Sequence, residues 1–319
     1  MRIWSRQASC ALPLLLAVMS CGRDARIHEP QASSSAFGIS ARSASDPSEW
    51  SQPVNLGSTV NSSAADIAPE ISKDGLSLYF ASNRPGGLGA NDIYVSRRAS
   101  VDDPWGAPTN LTMLNGPAAD AGPHLSRDGH WLFFSSARPG AIGGNDLYLS
   151  YRQNTHDDFA WEAPVNIGPQ VNSALSDLGP SVWGPELYFW RGPPPAQVPG
   201  DIYLSRMRGH EFGEPELVPE LSSGSHDEKP GIRFDGRQIL IGSDRPGAIG
   251  DVDIWIATRN GNGNQWGTPL NMVAINSTAG DRRPSFSPDG EMVLFDSDRP
   301  GGSGSFDLYI STRTAKPVR

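Results

Sequence analysis

NSSAADIAPEISKDGLSLYFASNRPGGLGANDIY, residues 61–94, is the stretch whose reading decides the fold. It holds Asn61 and Asp66, a Pro69-containing segment, the dipeptide Asp74-Gly75, the loop Arg84-Pro85-Gly86 and the triplet Asp92-Ile93-Tyr94. An aromatic residue and a proline, Trp50 and Pro53, stand ahead of it. The same order recurs along the chain, beginning at Trp50, Trp105, Trp161, Phe212 and Trp266, which are 55, 56, 51 and 54 residues apart. A fixed period of this length marks a repeat architecture, in which each unit buries its apolar face against the next.

Within one unit the local signals are short. Pro69 to Ser72 is expected as a strand, and Lys73-Asp74-Gly75 as a hairpin turn, because Asp-Gly supplies the positive φ such a turn needs. Leu76, Leu78 and Phe80 alternate, which predicts a half-buried second strand through Ser82. Arg84 to Gly89 reads as a loop, Asp92 to Ser96 as a third strand, and Trp105 to Leu111 as a fourth. The turn recurs at Asp128-Gly129, Asp235-Gly236 and Asp289-Gly290, and the loop at Arg138, Arg245 and Arg299. The third strand recurs at Asp146, Asp201, Asp253 and Asp307. Four antiparallel strands per repeat describe a propeller blade, so the fold expected is an all-β, five-bladed β-propeller over 50–319.

The ends of the pattern predict how the ring closes. Trp50 to Leu56 is a fourth strand with no strands one to three before it, and the last unit stops after its third strand near Thr312. The N-terminal strand is therefore expected to complete the last blade and hide two strand edges at once.

Composition agrees. The 319 residues include 35 glycines and 28 prolines, which suits short strands and tight turns better than long helices. The net charge of −9 argues against nucleic acid as a partner and against a polybasic membrane patch. Arg2 and Arg6, the apolar run from Ala11 to Met19 and the sequence Val18-Met19-Ser20-Cys21 read as a secretion signal over 1–20. The only cysteines are Cys10 and Cys21, so the chain beyond Cys21 has no disulfide and no thiolate chemistry. Residues 21–49 are rich in Ser, Ala and Arg without apolar period and read as a flexible tether, with a coil span of about 30 Å.

Two resemblances follow from these residues. Val18, Ser20 and Cys21 resemble a bacterial lipoprotein signal, with Met19 the less usual member, which implies lipidation of Cys21. Gly22 stands where an inner-membrane retention Asp would stand, which by analogy implies the outer membrane or the periplasm. An ordinary cleaved signal with an incidental Cys21 is the other reading. Ser287-Pro288-Asp289-Gly290, and the loop-strand run from Arg84 to Tyr94, resemble the TolB-type, WD40-like propeller repeats of periplasmic proteins associated with OmpA-like domains. That resemblance covers residues 50–313 and speaks to fold more than function.

In a four-strand meander the fourth-to-first and second-to-third connections emerge on one face. That face should carry a ring of acids, Asp66, Asp120, Asp177, Asp227 and Asp281, and a ring of arginines, Arg84, Arg138, Arg245 and Arg299. Residues repeated in every blade chiefly build the blade, by capping turns and pairing loops. A carboxylate ring could also hold calcium, so metal binding is left open while no cofactor is expected.

Function is sought where the repeat breaks. The third unit has Trp183-Gly184-Pro185 in place of Asp-Gly, and Trp190-Arg191 followed by a Pro-rich loop through Pro199 in place of Arg-Pro-Gly. The fourth unit has Ser222 for Asn and His226 before Asp227. Trp183, Trp190, Arg191 and His226 are thus the candidate binding residues. The six histidines form no HExxH, and no Gly-x-Ser-x-Gly elbow or phosphate loop occurs. No catalytic residue is assigned, with Glu186 and Glu228 the only acids of note outside the repeat pattern. The expectation is a lipid-anchored envelope module that binds or scaffolds a protein partner. A carbohydrate-binding propeller and a glycoside hydrolase or lyase are the alternatives. If Cys21 carries the anchor, Cys21→Ala will move the protein from the membrane fraction to the soluble fraction; retention of the variant in the membrane would refute the anchor.

Overall fold

The computed structural model describes residues 50–194, 198–209, 211–259 and 265–313. The signal segment, Cys21, the tether, residues 195–197 of the Pro-rich loop and His210 lie outside the described residues.

Among the described residues twenty-one strands form five antiparallel sheets, the five blades of a propeller. The lone N-terminal strand is β1 (Val54–Asn55). Blade one is β2 (Asp66–Ile71), β3 (Ser77–Ser82), β4 (Asp92–Arg97) and β5 (Thr109–Asn110). Blade two is β6 (Asp120–Leu125), β7 (Trp131–Ser136), β8 (Asp146–Tyr151) and β9 (Val165–Asn166). Blade three is β10 (Ser176–Trp183), β11 (Glu186–Gly192), β12 (Asp201–Arg208), β13 (Glu211–Phe212) and β14 (Glu216–Leu217), the last two both pairing with β12. Blade four is β15 (Asp227–Ile232), β16 (Gln238–Ser243), β17 (Asp253–Thr258) and β18 (Leu270–Asn271). Blade five is β19 (Asp281–Phe286), β20 (Met292–Ser297) and β21 (Asp307–Thr312), completed by β1.

Each innermost strand opens with Asp-x-x-Pro, and the motif builds a bulge. Register slips between Ile67 and Glu70 in β2, and at the equivalent place in β6, β10, β15 and β19. The residue before each proline has positive φ: Ala68, Gly122, Gly179, Lys229 and Arg283. Proline has no N–H to give a ladder, so it fits where pairing is already interrupted.

The aromatic that starts each unit is a wedge between blades. Trp161 meets Tyr79 of blade one edge to face, Phe212 meets Phe133 of blade two, and Trp266 meets Tyr188 of blade three. Trp50 joins a core cluster that includes Leu240 of blade four, and Trp105 packs against one that includes Leu294 of blade five. An arginine covers the ring of each tryptophan: Arg98, Arg152, Arg259 and Arg313 over Trp105, Trp161, Trp266 and Trp50. This use of the tryptophan, and the missing donor of Pro108, shorten the expected fourth strand to Thr109–Asn110. The second strand is also more enclosed than alternation predicts. All six residues of β3 are buried, because both faces of the middle strand lie against neighbouring blades.

Closure follows the expectation. β1 pairs with β21 through Val54↔Ile310 and Asn55↔Tyr309, and Trp50 bridges to Arg313. Asn61 then donates to and accepts from the backbone of Leu308, tying the entering chain to blade five. Deleting residues 50–57 removes this strand and the buried Trp50, whose loss alone costs about 3–5 kcal/mol. The melting temperature is expected to drop by about 10 °C or more in a thermal scan, and an unchanged value would mean the strand does not hold the ring.

Candidate functional site

The repeated polar residues form one latch per blade. Asp66 at the head of β2 is fully buried and accepts from the Ser62 N–H, the Ser62 hydroxyl and Arg84. Arg84 also donates to the Val60 carbonyl at 2.8 Å and lies over the Phe80 and Tyr94 rings. The arrangement repeats with Arg138 on Asp120 (2.6 Å), Arg245 on Asp227 and Arg299 on Asp281. Breaking such a pair costs roughly 3–5 kcal/mol, because the carboxylate is left buried and unpaired. Each of these carboxylates accepts from its arginine and from a backbone N–H of the incoming connection, and among the described residues no three His, Cys, Asp or Glu side chains gather as a metal site.

A second aspartate holds the loop tip. Asp92 accepts from the Leu88 and Gly89 N–H groups and from Asn110; Asp146 does the same for Ile142, Gly143 and Asn166. Gly89, Gly143, Gly250 and Gly304 press on the next blade so closely that a Cβ would sit within 1.7–1.9 Å of a backbone carbonyl oxygen. The loop glycine is thus an interlock between blades. The residue before it, Leu88, Ile142 or Ile249, is left projecting into solvent.

The four candidates from the broken repeat all sit inside the ring. Arg191 lies at 2.6 Å from Asp177, over the Phe189 and Tyr203 rings, and so takes the latch position of its blade from a different sequence offset. Trp183 donates to the Phe234 carbonyl at 3.0 Å and lies under Arg259. Trp190, expected beside a presented loop, is only 7% exposed and packs edge-on against His226. His226 accepts the Gly200 N–H at Nδ1, which leaves the proton on Nε2 to donate to Glu228 at 3.3 Å. Glu186 is held by Arg259 and Tyr188.

What the repeat break puts on the surface is apolar. Leu175 stands where the other units carry Ala64, Ala118, Ser225 and Ala279, and is 41% exposed. Its carbonyl accepts from Gly144, whose α-carbon faces Pro194 of the Pro-rich loop. Ile142 (44% exposed) is two residues away on the same tip, and Val198 (49% exposed) lies further along the Pro-rich loop. Ile142, Leu175 and Pro194 are therefore brought together at the rim between blades two and three. Leu175 is legible as a departure in the aligned repeats, but its adjacency to Ile142 and Pro194 is not.

The ring axis holds charge. Glu70 lies 3.3 Å from His124, and Asp296 accepts from Arg283 at 2.7 Å and from the Ala68 N–H at 2.8 Å. Burial pushes the Lys229 ammonium pKa down, opposed by Glu70 and Asp296. Burial pushes the Asp296 carboxyl up to about 6, against the pull of Arg283. Burial would raise Glu228 too, but Arg283, His226 and Arg282 together hold it at about 2.

The fold and this geometry define a five-bladed β-propeller with latched loops and a charged axis. No family model matches the chain, and no curated protein matches it. Solved structures are similar in shape. An α-L-arabinofuranosidase from Lactobacillus brevis aligns at a TM-score of 0.55 and 15% identity, covering 82% of this chain and 94% of that one. An endo-arabinase from Bacteroides thetaiotaomicron aligns at 0.52 and 16%, covering 83% and 98%. TolB from Acinetobacter baumannii aligns at 0.44 and 15%, covering 79% and 55%. At these identities the likeness to the arabinofuranosidase and the endo-arabinase is one of fold alone.

The two perturbed axial acids give opposite pH dependences. Asp296 binds its proton more tightly in the folded ring than at the ordinary value of 3.8, so its contribution is fully present below pH 3.8 and is lost as pH rises through 6. Glu228 contributes above pH 4.5 and loses that as pH falls towards 2. Between pH 4.5 and 6 Asp296 alone of the two titrates. Urea unfolding across that window should show a component of stability falling with rising pH, on the order of 2 kcal/mol. Asp296→Asn should remove this component. A variant with the parent's slope would place the titration elsewhere.

Proposed function

We propose that this propeller is a docking module for a protein partner in a bacterial cell envelope, tethered to a membrane through lipidated Cys21. The observation that carries the reading is the apolar rim at blades two and three. Ile142 and Leu175 project from backbone held by the aspartate-bound loop and the blade-to-blade glycine contact, beside Pro194. Apolar side chains on rigid backbone lose little entropy on binding, which favours a specific contact. The envelope location rests on the sequence of residues 1–21 and on the resemblance of the repeats to periplasmic propellers.

A hydrolase reading finds less support, although the arabinofuranosidase and endo-arabinase named above share the ring. Glycoside hydrolysis needs two carboxylates about 5–9.5 Å apart flanking an accessible bond. Here the buried acids outside the latches are engaged: Glu70 by His124, Asp158 by Arg152 and Ser77, Glu186 by Arg259, Glu228 by His226 and Asp296 by Arg283.

A photo-crosslinking residue placed at position 142 in cells is expected to trap one discrete envelope protein. The same residue at position 128, in the turn on the opposite face, should not. Leu175→Asp should reduce the crosslink from position 142 about tenfold, while free sugars leave it unchanged. Equal trapping from both faces, or none from position 142, would refute the docking face.

A further inference from the structure

The seams between blades end in equivalent residues, and one seam ends differently. A residue at the end of each third strand gives its N–H to the carbonyl just ahead of the second strand: Arg98 to Leu76, Arg152 to His130, Met207 to Pro185, Arg259 to Arg237 and Arg313 to Glu291. Each of the four arginines lies over its wedge tryptophan at 4.3–5.0 Å. Arg98, Arg152 and Arg259 also donate to the glycine carbonyl of their own Asp-Gly turn. Blade three has Met207 and Phe212 in these places, so the wedge between blades two and three brings neither a guanidinium nor an indole.

Blade two faces that seam with aromatic rings. The cross-strand pair at this level is Ser77 and Arg97 in blade one, Glu186 and Arg206 in three, Gln238 and Thr258 in four, and Met292 and Thr312 in five. In blade two it is Trp131 and Tyr151. Directly paired residues share a face of the sheet, and Phe133, two places on from Trp131, meets Phe212 on that face. The Trp131 and Tyr151 ring centroids are 4.9 Å apart at 57°, and His130 stacks on Tyr151 at 5.8 Å and 18°. All three residues are half-buried.

Among the described residues Trp131 is the one half-buried tryptophan that no arginine covers; Trp105 and Trp183 lie under Arg98 and Arg259. The polar tips of the cluster are open as well. His130 Nδ1 donates to the Arg152 carbonyl at 2.9 Å, which leaves Nε2 of the neutral ring an acceptor. That Nε2, the Tyr151 hydroxyl and the Trp131 indole N–H have no partner among the described residues, and unlike the indole N–H groups of Trp161 and Trp266 they are not sealed from solvent. The cluster therefore offers ring surface beside one acceptor, one group that donates and accepts, and one donor.

These tips select the ligand. A cation would repeat the arginine–tryptophan contact of the other seams, but Arg152 and Arg259 also find a carboxylate there, Asp158 and Glu186. Beside this cluster Asp128 is occupied by Ser126 and the His130 N–H, Asp158 by Arg152, and the indole N–H opposes a second donor. An anion would find no uncommitted cation in the cluster, since Arg152 is spent on Asp158. A pyranose has apolar C–H faces that lie on electron-rich rings, and hydroxyls that donate and accept at once. Stacking of this kind uses an open ring surface rather than an enclosed cavity. We propose that the open end of the seam between blades two and three binds a neutral pyranose unit, stacked on Trp131, with its hydroxyls on Trp131 Nε1, Tyr151 and His130 Nε2. The site is on the face of the Asp-Gly turns, away from the docking rim, so either can fail without the other.

The test uses ligand-detected NMR on the whole protein with D-glucose, N-acetylglucosamine and xylotriose, and with L-argininamide as the cationic control. At least one sugar is expected to bind saturably, without competition from L-argininamide. Trp131→Ala should weaken it about tenfold or more, about 1.4 kcal/mol, with the circular dichroism of the parent retained. Tyr151→Phe keeps the ring and removes only the hydroxyl; it should weaken binding several-fold, and it serves if Trp131→Ala fails to fold. Ile142→Asp, on the docking rim, should leave sugar binding intact. The inference is overturned if none of the sugars saturates at tens of millimolar, if L-argininamide binds in their place, or if the folded variants of Trp131 and Tyr151 bind as the parent does.

Discussion

The ring depends on one interaction made five times, a buried carboxylate gripped by an arginine that is itself pressed onto aromatic rings. Each partner solves a problem for the other. A carboxylate at zero exposure needs hydrogen-bond donors and a cation to offset its lost hydration, and the guanidinium needs an acceptor and an apolar face to lie on. The pair also fixes geometry, because the same arginine holds the carbonyl of the incoming connection. Blade three shows how strict the requirement is. Its loop has lost Arg-Pro-Gly, yet Arg191 reaches Asp177 from within β11 and restores the grip.

Once the loops are latched, differences between blades become differences on a fixed frame. An isoleucine at one loop tip and a leucine at the neighbouring connection come close in space because glycine lets the two backbones touch. The same rigidity lets the axis vary. The Asp-x-x-Pro bulge sets aside one residue per blade from ladder pairing, and that residue is free to be alanine, glycine, lysine or arginine. Two adjacent blades place charge there, and Lys229 Nζ is buried among the carboxylates of Glu70 and Asp296.

Most of the fold was legible in the chain. Aromatic starts, Asp-Gly turns and Asp-x-x-Pro heads are local signals, and their period counts the blades. Strand length was less legible. Trp105 to Leu111 reads as a strand, but most of it serves as a wedge into the neighbouring blade, a role set by a surface the local sequence does not contain. The candidate site was less legible still. Trp190 and Arg191 stood out because they break the pattern, and they proved to be internal replacements that keep the ring intact. Leu175 and Lys229, which differ from their counterparts by a single residue type, drew no attention in the sequence.

The sequence by itself determined the repeat, the five blades and the strand that closes them, because these follow from spacing and turn chemistry within one unit. Only the tertiary structure decided which departures from the repeat face solvent, which face the axis and which fill the interior. That outcome depends on contacts between blades about fifty residues apart in the chain, and a period records that such contacts exist without recording which side chains they leave uncovered.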